Sequence, residues 1–321
     1  MSVSVRPAEE ADRTALFGLY SVAFGSPPDP AEWAWKYDRN PNPSVSVVAE
    51  ESGRIVGFFG GFGTRYRGAE GDFPGVAGVD VMTDPSARTL GRRTLYQKLG
   101  LEFFRVNGEK GMPFGFGFPH ERARIAAEKT MGYLPVEPAR QWARAVVAPS
   151  LLGRLRRRFL KIRVGEAFSP AHDALAETLH ARAGWRTDRC RATMNWRLAA
   201  RPNVSYAVHE LVNGGGRSRA CGVLRIAGER GLLVDLQASD ESSGAVADLL
   251  DGVQESLRGT TATHLALRAG SSSRLAARAT ELGFVSAPTD THFEVRPFTS
   301  AFDLERAAPA FDYRFIDHEI F

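Results

Sequence analysis

The sequence predicts an α/β fold, a mixed sheet with flanking helices, built as two tandem units of which the second is degenerate. Three observations predict it. Apolar strands are followed by turns and then by helices whose apolar residues recur at helical spacing. One pattern occurs twice: Trp35-Lys36-Tyr37 precede Pro41-Asn42 as Trp196-Arg197-Leu198 precede Pro202-Asn203, with the same Trp-to-Pro spacing. The chain has 321 residues, enough for two domains and a sizeable core.

The elements follow in order. Val3-Ser4-Val5 reads as a strand and residues 8–24 as a helix with Leu16, Leu19, Tyr20 and Phe24 inward. Strands 46–50 and 53–58 come next. Copy one continues with strand 76–83, helix 92–106 with Leu95, Leu99, Phe103 and Val106 at helical spacing, strand 112–118, helix 120–131 and a closing Gly132-Tyr133. In copy two, strands 206–210 and 219–224 lead to strand 231–238. Helix 243–257 follows, with Val246, Leu249, Leu250, Val253 and Leu257 on one face. Strand 262–268, helix 271–282 and a closing Gly283-Phe284 complete it. The expected organisation is an N-terminal domain over 1–138, a linker over 139–195 and a C-terminal domain over 196–321. In the linker, Pro149-Ser150 start a helix with Leu152, Leu155, Phe159 and Ile162 on one face. Arg154, Arg156, Arg157, Arg158, Lys161 and Arg163 cover the rest. It reads as a docked helix with a solvated basic face, or as a basic amphipathic helix for a membrane or an acidic partner.

Composition excludes several classes. With 43% hydrophobic and 24% charged residues, neither disorder nor a membrane protein is indicated. No apolar run reaches the ~18 residues that span a bilayer, and the first residues carry no signal-peptide core. Cys190 and Cys221 follow no metal or disulfide spacing, so a reduced, cytoplasmic setting is expected. A net charge of +4 suits an anionic small molecule and is too weak to argue for nucleic acid. The histidines show no metal-ligand spacing, and neither a P-loop nor a nucleophile elbow is present. No metal is expected.

The turn after strand 76–83 carries the functional signal. It reads Asp84-Pro85-Ser86-Ala87-Arg88-Thr89-Leu90-Gly91-Arg92-Arg93 and opens a helix. A helix N-terminus offers unpaired N–H groups and the positive end of a dipole. Gly91 lets a phosphate approach the backbone, and Arg88, Arg92 and Arg93 add charge where a diphosphate would sit. In copy two the corresponding turn has no arginine and carries Asp240 and Glu241. One phosphate site, in the first copy, is therefore expected.

Arg88-x-x-Gly91-x-Arg93 resembles the cofactor loop of the GNAT superfamily of acyl-CoA-dependent N-acyltransferases, Gln/Arg-x-x-Gly-x-Gly/Ala. It departs at Arg93, where the family has a small residue. The resemblance covers residues 2–135 well and 200–297 as a degenerate copy. Trp35-Lys36-Tyr37 with Asn40-Pro41, and Gly117-Phe118-Pro119-His120, look like tandem members of the superfamily, some linked to sugar or polysaccharide modification. The resemblance implies acetyl-CoA or another acyl-CoA as donor. It implies that Val81, Met82 and Thr83 bind the pantetheine arm through backbone amides, and that Arg88, Thr89, Leu90, Gly91, Arg92 and Arg93 hold the diphosphate.

Acyl transfer to an amine needs a polarised thioester, a deprotonated amine and a tolerated thiolate. His120, at the end of strand 112–118, is placed to act as general base, or to cap the next helix. Asp80, charged within an apolar strand, is a second base candidate; structural pairing, with an arginine as the expected partner, is the alternative. Glu128 stands where the family implies a tyrosine acid; Tyr133 and water are the other options for that role. In strand 112–118, Phe114, Phe116 and Phe118 share one face, while Gly115 and Gly117 leave the other open to a ligand or to close packing. His209, Glu210 and Asp317-His318-Glu319 read as surface or sheet residues, or as groups reaching a cleft. The expected activity is N-acetyl transfer, or other acyl transfer, to a small primary amine (an amino sugar, an aminoglycoside-like compound or an amino acid). A non-catalytic acyl-CoA sensor, or an aminoacyl-tRNA-dependent transferase on the same fold, remains open.

Overall fold

The computed structural model describes residues 3–69, 71–87, 91–146, 161–182, 184–240, 244–271, 273–300, 302–307 and 311–318. The chain forms two compact units. Unit one is Met1–Arg65, Phe73–Glu137 and Thr291–Glu305; unit two is Tyr66–Asp72, Pro138–Asp290 and Arg306–Phe321.

Unit one opens with β1 (Val3–Pro7) and α1 (Arg13–Phe24). A short helix α2 (Pro30–Trp33) follows, started by Asp29, whose carboxylate accepts from Ala31 N at 2.7 Å, and by Pro30 at the first helical position. It runs into a π-helical turn over Ala34–Asp38, closed by Arg39 N to Ala34 O at 2.9 Å. Then come β2 (Val47–Glu51), β3 (Arg54–Gly68), β4 (Gly71–Thr83), α3 (Gly91–Glu109), β5 (Phe114–Gly117) and α4 (Glu121–Met131). The strands run in the order β1-β2-β3-β4-β5 and then residues of β13 (Val285–Pro297). Alternation along β2 and β3 sorts the core. Val47, Ala49 and Phe59 pack with Leu95, Leu99 and Phe103 of α3, whereas Val48 and Phe58 pack with Leu16, Leu19 and Trp33. Gly132 ends α4 in the left-handed conformation, φ 69°.

Unit two repeats this order. It has β6 (Leu134–Ala145, from residue 138), β7 (Lys161–Gly165), α5 (His172–His180), β8 (Arg186–Thr187), α6 (Arg191–Met194) and a second π-helical turn over Asn195–Ala199, closed by Ala200 N to Asn195 O at 2.9 Å. After it come β9 (Ala207–Val212), β10 (Ser218–Ala227), β11 (Arg230–Ala238), α7 (Gly244–Leu257), β12 (His264–Ala269) and α8 (Arg274–Glu281). The sheet order is β6-β12-β11-β10-β9-β7, with β11 and β12 parallel. Val246, Leu249, Leu250, Val253 and Leu257 are buried as the helical spacing predicts.

Three expectations need correction. Phe24 is half exposed, because it is the last residue of α1 and lies against Tyr20 at 4.5 Å instead of the core. Helix α1 begins at Arg13, after a single 3-10 turn over Glu10–Asp12. The basic helix does not reach Arg163: residues 161–165 are a strand paired with β9, where β-branched Ile162 and Val164 favour extended backbone. Ile162 packs on the unit-two core. Residues 147–160, with the basic run from Arg154 to Arg158, lie outside the described residues. No helix is long and apolar enough to cross a membrane among the described residues.

Candidate active site

The site is built where β4 and β5 part. The two strands are parallel and pair at Val76 with Gly115 and at Ala77 with Phe116. Past that point β4 runs on to Thr83, while β5 stops at Gly117. Val81, Met82 and Thr83 lie on the part of β4 beyond the pairing, with Met82 buried beneath it.

Beyond β4, Asp84 shapes the turn. It accepts from Ser86 N and Ser86 Oγ, both at 2.7 Å, and pairs with Arg54 at 2.6 Å. Partial burial would raise its pKa, but the Ser86 bonds and the Arg54 charge hold it below the ordinary carboxylate value. Gly91, Arg92 and Arg93 form the first turn of α3. Arg88, Thr89 and Leu90, and the side chains of Arg92 and Arg93, lie outside the described residues.

Asp80 sits in β4 with φ 48°, a left-handed conformation that aspartate tolerates better than most residues. Its Oδ2 accepts from Lys36 Nζ at 2.8 Å and from Tyr37 Oη at 2.5 Å. Both donors come from the π-helical turn. The partner is thus a lysine with a tyrosine, and the pair is nearly buried, 11% and 12% exposed. Gly60 makes room for this contact: a Cβ there would meet the Tyr37 hydroxyl and lie 2.6 Å from Val79 O.

The two strand glycines differ in their surroundings. At Gly115 a Cβ would lie 2.8 Å from the Phe298 ring, so this position serves packing. At Gly117 it would meet only Pro119 Cδ at 3.6 Å and Glu294 Oε1 at 3.9 Å. Phe114, Phe116 and Phe118 are buried together on the opposite face.

His120 is exposed and caps α4: its Nδ1 accepts from Ala123 N at 3.4 Å. Beside it a charged chain runs along the helix. Glu121 pairs with His292 at 2.8 Å and with Arg124 at 2.7 Å, and Arg124 also pairs with Glu128. Glu128 is thereby held in an ion pair.

The residue that sequence reasoning missed is Glu294. It lies on β13, directly paired with Gly117 of β5, and is only 3% exposed. Its Oε2 is buried with no hydrogen-bond partner among the described residues. Burial, then the negative charge of Glu128, push its pKa up to about 8, with Arg124 pulling the other way. The phenols of Tyr96 and Tyr133 both feel its charge, and burial raises both of their pKa values. Tyr133 Oη would be 3.6 Å from a Cβ on Gly78 of β4. A signal was available: Glu294 stands between Phe293 and Val295 in a strand, the same anomaly that singles out Asp80.

In unit two the position matching Asp80 is Asp235, which pairs with buried Arg189 at 3.3 Å; Arg189 also holds Asp317 at 3.0 Å. His209 binds Ser256 Oγ at 2.8 Å, and burial lowers its pKa. Burial, with Arg268 and Arg197 nearby, lowers His318 to about 3. These groups are built into the unit-two core. Glu319 lies outside the described residues.

Residues 4–135 match the family model described as an acetyltransferase (GNAT) domain. No curated protein matches the chain. Among solved structures, a probable N-acyltransferase of unknown function from Enterococcus faecalis V583 is similar at 12% identity, with TM-score 0.68, over 93% of this chain and 73% of that one. A GCN5-related N-acetyltransferase from Anabaena variabilis is similar at 10% identity, with TM-score 0.69, over the same shares, 93% and 73%. A tandem GNAT protein from the clavulanic acid biosynthesis pathway is similar at 13% identity, with TM-score 0.59, over 93% of this chain and 99% of that one. At these identities the likeness shows the fold: mixed α/β, of the tandem GNAT kind.

Proposed function

We propose that this protein is an N-acyltransferase that moves an acetyl or other acyl group from a CoA thioester to a small primary amine, by direct attack in a ternary complex. The observation that carries the reading is the gap between β4 and β5 after Ala77 and Phe116, with buried Glu294 paired to bare Gly117 along the other edge of β5. The site suits an acyl-CoA arm: β4 backbone from Val81 to Thr83 continues past its pairing with β5, and Gly117 keeps β5 bare at its end. The helix start at Gly91, with Arg88, Thr89, Leu90, Arg92 and Arg93 around it, would hold the diphosphate.

Glu294 would first take one proton from the acceptor ammonium; the free amine then attacks, the N–C bond forms and the C–S bond breaks, and the nitrogen's second proton replaces the one that Tyr133 gives to the thiolate. A carboxylate with pKa about 8 is matched to that task. Tyr133, a neutral phenol beside Glu294, would return a proton to the leaving thiolate. Glu128, paired with Arg124, would tune Glu294 by its charge. Asp80 would fix the Lys36–Tyr37 turn against β4, and His120 is a second base candidate at the mouth of β5. Amino sugars, aminoglycoside-like amines and amino acids are the acceptors to screen first.

The test is thermal melting with acetyl-CoA, with CoA and without ligand, repeated on Gly91→Glu. A ligand at ~100 times its Kd stabilises by about 2.7 kcal/mol. The expected result is an upward shift that Gly91→Glu removes, followed by amine-dependent thiol release. No shift with either ligand overturns the reading.

A further inference from the structure

Unit two contains a buried trio that acyl transfer does not use. His172 begins α5, while Glu210 of β9 and Cys221 of β10 are register partners on neighbouring strands. All three are buried, at 0%, 3% and 1% exposure. Their donor atoms lie within 4.8 Å of one another.

The protonation pattern of the histidine is set by its surroundings. His172 Nε2 lies 2.8 Å from the Arg189 carbonyl, which can only accept, so Nε2 carries the proton. Nδ1 is then a lone-pair donor, and it is buried with no hydrogen-bond partner among the described residues. Glu210 Oε1 is orphaned in the same way. A buried polar atom without a partner costs roughly 1–3 kcal/mol, so two such atoms on residues of one buried cluster need an explanation. Phe168 packs edge-on against the imidazole at 4.6 Å and fixes the ring.

We propose that His172 Nδ1, Glu210 Oε1 and Cys221 Sγ form a binding site for a divalent transition metal, zinc by donor chemistry. Imidazole nitrogen, carboxylate oxygen and thiolate sulfur are the ligands zinc takes. A glutamate and a thiolate supply two negative charges, which a divalent cation neutralises. The Arg189 carbonyl is the kind of acceptor that orients a ligating histidine through its other nitrogen. Tetrahedral bonds of 2.0–2.3 Å place donor atoms about 3.5 Å apart, so small side-chain rotations close the set. Three protein ligands leave a fourth position for water. The ion would tie α5 to the β9–β10 pair.

The test uses the full chain, purified without a metal-affinity tag. Its zinc content is measured after dialysis against a weak chelator, and cobalt(II) is then added to chelator-stripped protein. The expected results are about one zinc per chain and a thiolate-to-cobalt charge-transfer band. Cys221→Ser should remove the band, and His172→Gln should weaken zinc binding by at least about tenfold, the loss seen even when a supporting residue is removed. Cys190→Ser should leave both unchanged. Folded wild-type protein that keeps no zinc and gives no cobalt band overturns the proposal, whether or not the variants fold. A band lost in Cys190→Ser but kept in Cys221→Ser overturns it as well.

Discussion

Glu294 Oε1 lies 3.9 Å from the point where a side chain on Gly117 would begin, and the two residues are partners across β13 and β5. A carboxyl group and a stretch of bare backbone therefore share one spot at the end of the strand pair.

Replacing Glu294 by glutamine should lower kcat by roughly 10²–10⁴, the range for general base catalysis, while the KM for acyl-CoA stays close to wild type. In the wild-type enzyme the rate should climb as pH passes about 8, where Glu294 loses its proton. A pH–rate profile on Glu294→Gln that keeps this limb assigns the base to another group.

The same shift acts on stability. The ordinary value is 4.5 and the folded value about 8, so between them the folded state binds the proton and the unfolded state does not. Stability from this group is complete below pH 4.5 and is lost as pH rises through 8. Melting curves at pH 6 and pH 9 should separate more for wild type than for Glu294→Gln.

Gly117→Ala should fold as well as wild type or gain up to about 1 kcal/mol, since its Cβ meets only ordinary contacts. It should nevertheless raise the KM for acyl-CoA. Gly115→Ala should cost about 1–3 kcal/mol, because its Cβ would crowd the Phe298 ring. Denaturant titration of the pair distinguishes access from packing.

Asp80→Ala should destabilise by roughly 2–4 kcal/mol. It leaves Lys36 nearly buried without its partner, and it puts alanine at φ 48°. Asp80→Asn keeps an acceptor for Tyr37 and a residue that tolerates this backbone, so its loss should be smaller.

His120→Ala should cost about 0.5–2 kcal/mol through the lost cap, and His120→Asn should restore it. Amine turnover in His120→Asn should match wild type. A large fall in kcat with stability intact would give the base role to His120 instead.

Much of the fold was legible because local rules and tertiary context agree. Leu95, Leu99 and Phe103 are buried as their spacing predicts, and Gly132 and Gly283 both take the positive φ that closes a helix. The Trp35 and Trp196 segments, matched by their Trp-to-Pro spacing and the order of elements after it, both form a π-helical turn. Phe24 failed because a helix end does not follow the periodicity of its middle. Ile162 failed because alternation over five residues competes with a longer apparent helical stripe. Glu294 escaped notice because its relation to Gly117 is made by strand pairing over a long sequence separation, which no local pattern encodes. Asp80 stood out, but its partner came from a turn 44 residues away.

The strand that carries Glu294 also sets when the first unit can be finished during synthesis. Residues 291–305 belong to unit one, although its other segments end at Glu137. At 5–20 residues per second, a ribosome needs roughly eight to thirty seconds to move from one to the other. During that interval β5 has an unfilled edge and no acid beside Gly117. The nascent N-terminal half is therefore a waiting, incomplete partner, and a fragment cut after residue 138 should be inactive and prone to pair its open edge with other chains.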